Sequence, residues 1–402
     1  MTVHSLHIFE WPLVLLCSVA TIYAGIAAVA MPFFSKRTCA RQPGWSSVSV
    51  LKPLCGIEPR LYENLVTFCE QAHPCFQLLF GVSSPVDPAI AVVRRLQAAY
   101  SHRDIELVVD SRVHGSNLKV SNLINMLERA RHAIVVLADS DIAVKPDYLD
   151  TVTAPLADPD IGVVTCLYRA QSVGGFWPRV GALFINEWFA PSVRVAHAGG
   201  SRRFGFGATL ALRRSTLEGI GGFEALKDCL ADDYWLAEHA RTLGFNTVLS
   251  PVMVDTDVIE PTFTTLWLRE MRWLRTIRSV NPSGFAFLFI TFTSPWLVIG
   301  SALLLGMSNG DGATAHPFML LTLSTSTVTG VSARILLHAR SARYSSSFWR
   351  DLPLVPLRDT LLALQWLSAA FGSHVVWRGA RMPVVNRVTR PRTSIVEISD
   401  RG

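Results

Sequence analysis

Three long stretches of the chain contain no charged residue, which makes them candidates for burial in a lipid bilayer. They are residues 11–34, 285–307 and 317–333. A membrane-spanning helix needs about 20 consecutive apolar residues. We therefore predict an N-terminal transmembrane helix over 9–34 and a transmembrane hairpin over 285–338.

The distribution of basic residues sets the expected orientation. The first ten residues contain no Lys or Arg, whereas Lys36, Arg37 and Arg41 follow the first stretch. Under the positive-inside rule the N-terminus lies outside and the chain after residue 36 lies in the cytoplasm. A cleaved signal peptide is the alternative for the first stretch, but its basic leading segment is missing and the apolar stretch is too long.

A fourth uncharged run, residues 360–377, precedes a basic tail over 381–402. A crossing at this run would put the tail outside, against the same charge rule. We therefore predict re-entrant or interfacial helices over 345–380, with a fourth span as the alternative.

Between the membrane segments, short apolar runs alternate with stretches in which apolar residues recur at helical spacing. This alternation is typical of an α/β domain with a mostly parallel sheet and helices on both faces. We assign that domain to residues 46–262 and an interfacial helix to 263–283. The predicted strands cover 47–54, 76–82, 105–109 and 133–138, and the predicted helices between them cover 61–71, 88–100 and 117–130.

Composition narrows the classes of function. Half of the 402 residues are hydrophobic and the formal net charge is +6, a balance that fits a soluble domain joined to membrane segments. Basic residues beside the hydrophobic stretches favour an anionic membrane surface. The chain has no basic stripe with interleaved aromatics, so we expect no nucleic-acid partner. Seven cysteines show neither metal-binding nor disulfide spacing, and we expect reduced, mostly buried thiols.

Three acidic residues follow predicted strands, where an α/β sheet presents its ligand-binding groups. Asp110 ends the run IELVVD, and Asp139 and Asp141 follow AIVVLA. Two carboxylates on one turn can face a single hard cation, Mg²⁺ or Mn²⁺, that also binds phosphate oxygens. Asp110 can accept hydrogen bonds from a ribose or a base. The alternative for each acid is to cap the helix that follows.

Four other residues between the first and second membrane stretches are further candidates. Lys119 can reach a phosphate, or it is only a solvated helix lysine. Gly207 allows a ligand to approach the backbone closely, or only allows a bend. Asp232 and Asp233 precede an amphipathic helix over 234–243, where a carboxylate caps the helix or takes a proton from an attacking hydroxyl.

The interfacial helix carries a cluster of cationic and aromatic side chains in LREMRWLR. Arg269, Arg272 and Trp273 share one helix face because residues three and four apart are neighbours there. Arginine forks suit a diphosphate, and an indole can pack against a sugar or a lipid. The alternative is a helix whose arginines bind lipid headgroups, and the two interpretations are compatible.

Together these motifs resemble the membrane-bound inverting glycosyltransferases, whose signature is D, D-x-D, D and [Q/R]xxRW. The chain looks most like the ceramide glucosyltransferase branch, glycosyltransferase family 21, which includes bacterial hopanoid-associated members. The resemblance runs from about residue 50 to the end. The local matches are LKPLCGIEPRLYENL, HGSNLKVSNLIN, LADSDI, GFGATLALRR, LADDYW, LREMRW and LVPLRD.

The resemblance implies a GT-A fold, a UDP-sugar donor and a hydroxyl of ceramide or a hopanoid polyol as acceptor. It implies a metal at Asp139 and Asp141, a catalytic base at Asp233 rather than Asp232, and an integral protein of the bacterial inner membrane with a cytoplasmic catalytic domain. We expect the donor to be bound by Asp110, Lys119, Asp139, Gly207, Arg269, Arg272 and Trp273.

Two other functions stay open at this point. A processive polysaccharide synthase or a polyprenyl-phosphate glycosyltransferase would share most of these motifs. Arg in place of Gln at position 269 and the small number of spans favour transfer of a single sugar. A membrane scaffold without turnover is the other alternative, although none of the acids in the series is missing.

Overall fold

The computed structural model describes residues 4–30, 46–309, 317–345, 348–377 and 380–384. The strands are β1 Val48–Pro53, β2 Phe76–Val82, β3 Asp104–Val109, β4 Ile134–Leu137, β5 Ile142–Ala143, β6 Ile161–Ser172, β7 Leu210–Arg213, β8 Asn246–Val258, β9 His374–Trp377 and β10 Ala380–Pro383. The helices are α1 His4–Ala30, α2 Leu61–Cys69, α3 Ala89–Ala99, α4 Leu118–Leu127, α5 Tyr148–Thr153, α6 Phe176–Phe184, α7 Ala190–Ala198, α8 Arg214–Gly219, α9 Asp232–Thr242, α10 Phe263–Val280, α11 Pro282–Phe287, α12 Thr293–Asn309, α13 Pro317–Ser345, α14 Phe348–Asp351 and α15 Leu354–Ala369.

Eight strands form one sheet in the order β3-β2-β1-β4-β7-β6-β8-β5. In its first half, β1 runs parallel to β2 and β4, and β2 runs parallel to β3. In its second half, β7 is antiparallel to both β4 and β6, and β5 is antiparallel to β8. The predicted α/β class is confirmed. The predicted parallel arrangement describes the first half well, whereas β7, which follows helices α6 and α7, runs antiparallel to both of its neighbours and makes the second half mixed.

The central strands β1, β2 and β4 of the parallel half are buried on both faces, whereas most residues of the edge strand β3 are exposed or partly exposed. Every residue of β2 and β4 is buried. Phe68 of α2 and Leu96 of α3 belong to the core on one face, and Leu123 of α4 and Ala237 of α9 to the core on the other. Strands covered on both faces do not alternate apolar and polar residues. The two helical layers therefore fix the sheet, and its strand ends carry the loops discussed below.

Two of the described helices are long and apolar enough to span a membrane, over Glu10–Ala30 and Pro317–Arg343. The uncharged run 285–307 is not one helix. It is divided between α11, a short 3-10 turn and α12, and the two parts are bent by 52°. If the two parts act as one span, the described residues contain a third candidate membrane span. Residues 31–34 of the first predicted stretch lie outside the described residues.

Three tryptophans donate hydrogen bonds to the segment around this bend. Trp366 donates to the carbonyl of Phe285 and Trp296 to that of Phe289, each at 2.8 Å. Trp188 donates to the hydroxyl of Thr291 at 2.8 Å. Backbone polar groups cannot remain unpaired in hydrocarbon. The indoles therefore replace part of the hydrogen bonding that a straight helix would supply.

Helix α10 lies between the α/β domain and the membrane helices. A capping box between Thr262 and Thr265 fixes its start. Gly181 of α6 allows α6 and α10 to approach closely, because a Cβ at that position would lie 2.7 Å from a methyl of Leu266.

Six cysteines fall in the described part of the chain, all as free thiols; four are buried, and Cys55 and Cys75 are exposed.

Candidate active site

The turn Asp139-Ser-Asp141 joins β4 to β5 and is held from two sides. The Lys52 ammonium donates to the carbonyl of Asp139 at 2.8 Å and lies 3.6 Å above the ring of Phe68. The Thr256 hydroxyl donates to the Asp141 carboxylate at 2.8 Å. Pairing of β5 with β8 places Thr256 at this position. The turn is therefore fixed at its backbone as well as at a side chain.

Negative charge is crowded around this turn. Burial, together with the nearby carboxylates of Asp139 and Glu58, raises the pKa of Asp141 to about 7. Burial also lowers the pKa of Lys52 to about 7, against the opposing effect of Asp141 and Asp139. A carboxylate held near others in a buried place favours the approach of a cation.

Lys119 joins this turn to helix α9. Its ammonium lies 2.6 Å from a carboxylate oxygen of Asp139 and 3.7 Å from one of Asp232. Burial alone would lower the pKa of Lys119, but the two carboxylates outweigh it and raise the pKa. The cap of α4, Asn117, also donates to Asp232 at 3.3 Å. Lys119 is therefore a buried charge among acids, not a solvated helix lysine.

Asp232 and Asp233 form the first turn of α9, two residues before the predicted helix start. The carboxylate of Asp233 accepts hydrogen bonds at 2.8 Å from the backbone N–H groups of Gly207 and Tyr234. Burial and the neighbouring Asp232 raise the pKa of Asp233 to about 6. A carboxylate with such a pKa is suited to proton transfer near neutral pH.

Gly207 lies against three charged groups of the site. A Cβ at this position would lie 3.1 Å from a carboxylate oxygen of Asp139, 3.2 Å from the Lys119 ammonium and 3.5 Å from a carboxylate oxygen of Asp233. The structure thus places Gly207, Lys119, Asp139 and Asp233 in one cluster. A side chain at residue 207 would enter it.

Helix α10 brings the predicted donor-binding residues Arg269, Arg272 and Trp273, hereafter the clamp, to the same cluster. Burial and the adjacent Arg269 lower the pKa of Arg272, while Asp139, Asp233 and Asp232 act in the opposite direction. The Arg269 guanidinium lies 5.2 Å from the ring centre of Trp273 and pairs with Glu260. Two other nitrogens of Arg269, Nε and Nη2, are buried without a hydrogen-bond partner among the described residues. Buried donors of this kind point to a missing acceptor.

Asp110 is placed differently from the other candidates. Its carboxylate forms a two-pronged ion pair with Arg112, whose Nη2 lies 2.7 Å from one of the carboxylate oxygens. Arg112 also pairs with Glu128. Hydrogen bonds from Arg112 lower the pKa of Asp110. Among the described contacts of Asp110, none reaches Asp139, Asp233 or the clamp.

Several residues of the site were not predicted from the sequence. Lys52 could have been noticed as a charge inside an otherwise apolar strand run, but Thr256, Glu58 and Tyr168 gave no local signal. Tyr168 lies 6.0 Å from Trp273, ring centre to ring centre, and burial together with Asp233 raises its pKa. It forms an aromatic wall beside the clamp.

The two carboxylates of the turn fit a divalent cation that takes only one or two of its ligands from protein carboxylates. The described residues contain no group of three or more His, Cys, Asp or Glu side chains arranged to hold a metal. Mg²⁺ is usually held by one or two carboxylates together with substrate phosphates and water. Asp139 and Asp141, with the raised pKa of the latter, suit a cation that arrives with a phosphate-bearing ligand.

The overall structure places the protein among the GT-A glycosyltransferases. It is similar to a mannosyltransferase from Pyrobaculum calidifontis solved in complex with GDP-Man and Mn2+, with a TM-score of 0.50, 18% sequence identity, and coverage of 90% of this chain and 97% of that one. At this identity the likeness shows a shared fold. The model of glycosyl transferase family 21 matches residues 13–389, and the chain belongs to that family.

Two curated relatives are both named as ceramide glucosyltransferases. The chain is 28% identical to ceramide glucosyltransferase 1 of Caenorhabditis elegans over 234 residues, which is 58% of this chain and 50% of the relative. It is 27% identical to ceramide glucosyltransferase 3 of the same organism over 207 residues, 50% of this chain and 44% of the relative. The chain therefore spans about half the length of these relatives.

Proposed function

We propose that this protein is an inverting hexosyltransferase that moves one sugar from a UDP-sugar to a hydroxyl of a membrane lipid, giving a β-linked glycolipid. The donor is UDP-glucose or UDP-N-acetylglucosamine and the acceptor is ceramide or a hopanoid polyol. The observation that carries this proposal is one cluster in which Asp233 lies with Lys119, Asp139 and Arg272. The names of the curated relatives support a lipid acceptor.

The cationic groups of the cluster suit the diphosphate of the donor. Lys119 and Arg272 face the carboxylates of the site, and Arg269 has buried donors without a partner. Charge-assisted hydrogen bonds from such donors to phosphate oxygens are among the strongest in proteins. Trp273 supplies an aromatic surface beside Arg269 for the sugar or the lipid. Asp110 binds the nucleoside once it exchanges its contact with Arg112.

Asp233 acts as the general base. Its raised pKa and half-buried position let it take the proton of the lipid hydroxyl as that oxygen attacks the anomeric carbon. The bond from the anomeric carbon to UDP breaks in the same displacement, so the configuration inverts. Both acids of the pair have partners in the structure, so the choice of Asp233 over Asp232 follows the family motif. Lys119 and Arg272 stabilise the charge that develops on the departing UDP.

A divalent cation, Mg²⁺ or Mn²⁺, held by Asp139 and Asp141 would add Lewis-acid stabilisation of the diphosphate. The chain supplies the turn that presents both carboxylates, fixed by Lys52 and Thr256.

The membrane helices bring the acceptor to the site. Two described helices, and a third if the bent pair counts, can cross a bilayer, and α10 lies where they meet the catalytic domain. We assign the catalytic domain to the cytoplasmic side of the bacterial inner membrane. Holding a lipid hydroxyl at the bilayer surface next to a bound donor is a large proximity gain.

The test is product analysis with the purified protein in lipid nanodiscs. We expect UDP-glucose or UDP-N-acetylglucosamine, with ceramide or a hopanoid polyol, to give a single neutral glycolipid by mass spectrometry and a β-linkage by NMR. Asp233→Asn protein is the negative control. A polymer or a phosphate-linked sugar would instead identify a processive or polyprenyl-phosphate glycosyltransferase, and an α-linkage would reject the inverting mechanism.

A further inference from the structure

The motif LVPLRD lies at the start of α15, and two of its residues are adjacent buried charges. Arg358 is 1% exposed and Asp359 is 5% exposed. Consecutive residues of a helix point about 100° apart. The two side chains therefore reach different elements, and neither of them contacts the cluster around Asp233 in the described structure.

Arg358 binds the helix that carries the clamp. Its guanidinium lies 2.8 Å from the carboxylate of Glu270 and 2.6 Å from the side-chain oxygen of Gln365. Gln365 donates in turn to the same Glu270 oxygen at 2.8 Å. Glu270 is wholly buried and stands between Arg269 and Arg272 in the sequence. A closed triangle of hydrogen bonds therefore ties α10 to α15 at Glu270, about 100° around the helix from Arg269.

Asp359 binds the membrane helices instead. Its carboxylate accepts two bonds from Arg334 of α13, at 3.0 and 3.1 Å, and two from Ser294 at the start of α12. Arg334 also pairs with Glu187 at 2.6 Å. Glu187 lies in a π-helical turn that joins α6 to α7 and also contacts His338 of α13. This second network reaches from a spanning helix to the catalytic domain.

We propose that Arg358 and Asp359 are positioning residues that couple the clamp helix to the membrane helices, so that the clamp arginines are held at a fixed place relative to the bilayer. The inference rests on the proposed function for the role of the clamp. Burying several charges rarely adds stability compared with apolar packing, although removing one partner is costly. Networks of this kind instead select one arrangement of the elements that they join.

The test measures the mobility of α10 and donor affinity separately, with the full chain in nanodiscs. Hydrogen–deuterium exchange follows α10, and titration with UDP in the presence of Mn²⁺ gives the affinity. The variants are Arg358→Met, Asp359→Asn and the neutral pair Glu270→Gln/Arg358→Met, which leaves no unpaired buried charge. Arg131→Gln, in an exposed ion pair with Asp104, is the matched control.

We expect Arg358→Met to raise exchange in α10 and to weaken UDP binding at least tenfold. Asp359→Asn should weaken it at least threefold although Asp359 touches no clamp residue. The neutral pair should recover thermal stability while UDP binding stays at least fivefold weaker.

Two outcomes overturn the coupling. One is folded Arg358→Met protein with the exchange and UDP affinity of the wild type. The other is full recovery of UDP affinity in the neutral pair, because charge balance alone would then explain the single variant. If the wild type binds no UDP but Arg358→Met still raises exchange in α10, the proposed function fails and the structural coupling stands.

Discussion

The cluster around Asp233 and the network around Arg358 and Asp359 use the same residue types in opposite ways. In the network around Arg358 and Asp359, the carboxylate of Glu270 lies 2.8 Å from the guanidinium of Arg358. The carboxylate of Asp359 lies 3.0 Å from the guanidinium of Arg334. In the cluster around Asp233, Asp141 is crowded by other carboxylates, and Arg269, although paired with Glu260, has two buried nitrogens without a partner among the described residues. The buried acids have guanidinium partners in one region, whereas in the other the acid of the turn lies mainly among other acids.

This difference separates structural charges from charges that await a ligand. A diphosphate with a cation would supply acceptors to Arg269 and positive charge to Asp141. The carboxylate of Glu270 already has Arg358 and Gln365 as partners at one oxygen, and only its Oε1 and the Nε of Arg358 are unpaired among the described residues. Perturbed ionisation in a cleft is a sign of function only when internal pairing does not account for it. Both regions are built partly on α10, so a single helix carries the two uses of charge.

The largest effect should come from removing the proposed base. Asp233→Asn keeps the shape of the side chain but cannot accept a proton, so kcat should fall about 10²- to 10⁴-fold while UDP binding changes little. A radiochemical transfer assay and UDP titration measure the two quantities. Asp232→Asn is the control and should lose less activity. Transfer within tenfold of wild type in Asp233→Asn protein would remove Asp233 from the mechanism.

The clamp should show the next largest effect. Arg272→Lys keeps the charge but loses the planar fork, so we expect donor binding to weaken roughly 10- to 100-fold, as for the loss of hydrogen bonds to a charged group. UDP titration measures this loss. The same change at Arg203, whose ion pair with Glu238 lies at the exposed surface, should have no effect. Equal affinity of the Arg272→Lys protein and the wild type would contradict the clamp.

Acidity should weaken catalysis in a defined window. Because the pKa of Asp233 is raised to about 6 in the folded protein, the proton-accepting form is present above that pH and is lost below it. At low donor concentration, kcat/KM should therefore fall about tenfold for each pH unit below about 6. The profile should be measured from about pH 7 to about pH 5, roughly one unit on either side of the expected midpoint. A profile that stays flat over this range would contradict the assignment.

A smaller effect is expected at Gly207. Its Cβ would press on the ends of the Asp139 and Lys119 side chains at 3.1 and 3.2 Å, and these flexible ends can move. We expect Gly207→Ala to reduce kcat/KM about fivefold, near the lower end of overpacking effects, with an unchanged melting temperature. Gly175→Ala is the control because nothing lies within 4 Å of its Cβ position. A melting temperature lowered in Gly207→Ala alone would indicate a structural role instead.

The sequence predicts the parallel half of the sheet well because its central strands are buried, mainly apolar runs between amphipathic helices. Strand β2, for example, has the predicted bounds. The bend within residues 285–307 was not visible, because an uncharged run looks the same whether the helix is straight or broken. The antiparallel course of β7 was also hidden, since a short apolar strand does not encode its direction.

The candidate site was predicted in part. The turn at Asp139, the acids at 232–233 and the arginines of α10 stand out because their spacing matches a chemical purpose. The contacts of Lys52 and Glu270 did not stand out, because they depend on residues 87 and 88 positions away. Pairing over such distances is a property of the folded chain. The role of Asp110 stays a prediction, since its carboxylate is occupied by Arg112.

The bend before α12 restricts which aromatic residues the surrounding helices can carry. Trp188, Trp296 and Trp366 each donate from the ring nitrogen to the broken segment. The Phe285 and Phe289 carbonyls also accept from the backbone, and the Thr291 hydroxyl also donates to the Leu288 carbonyl. Phenylalanine would fill much of the same space but would leave each of these oxygens with one donor fewer, where lipid supplies no replacement. At these three positions the indole N–H thus adds a second hydrogen bond at the break in the helix, which apolar bulk alone cannot provide.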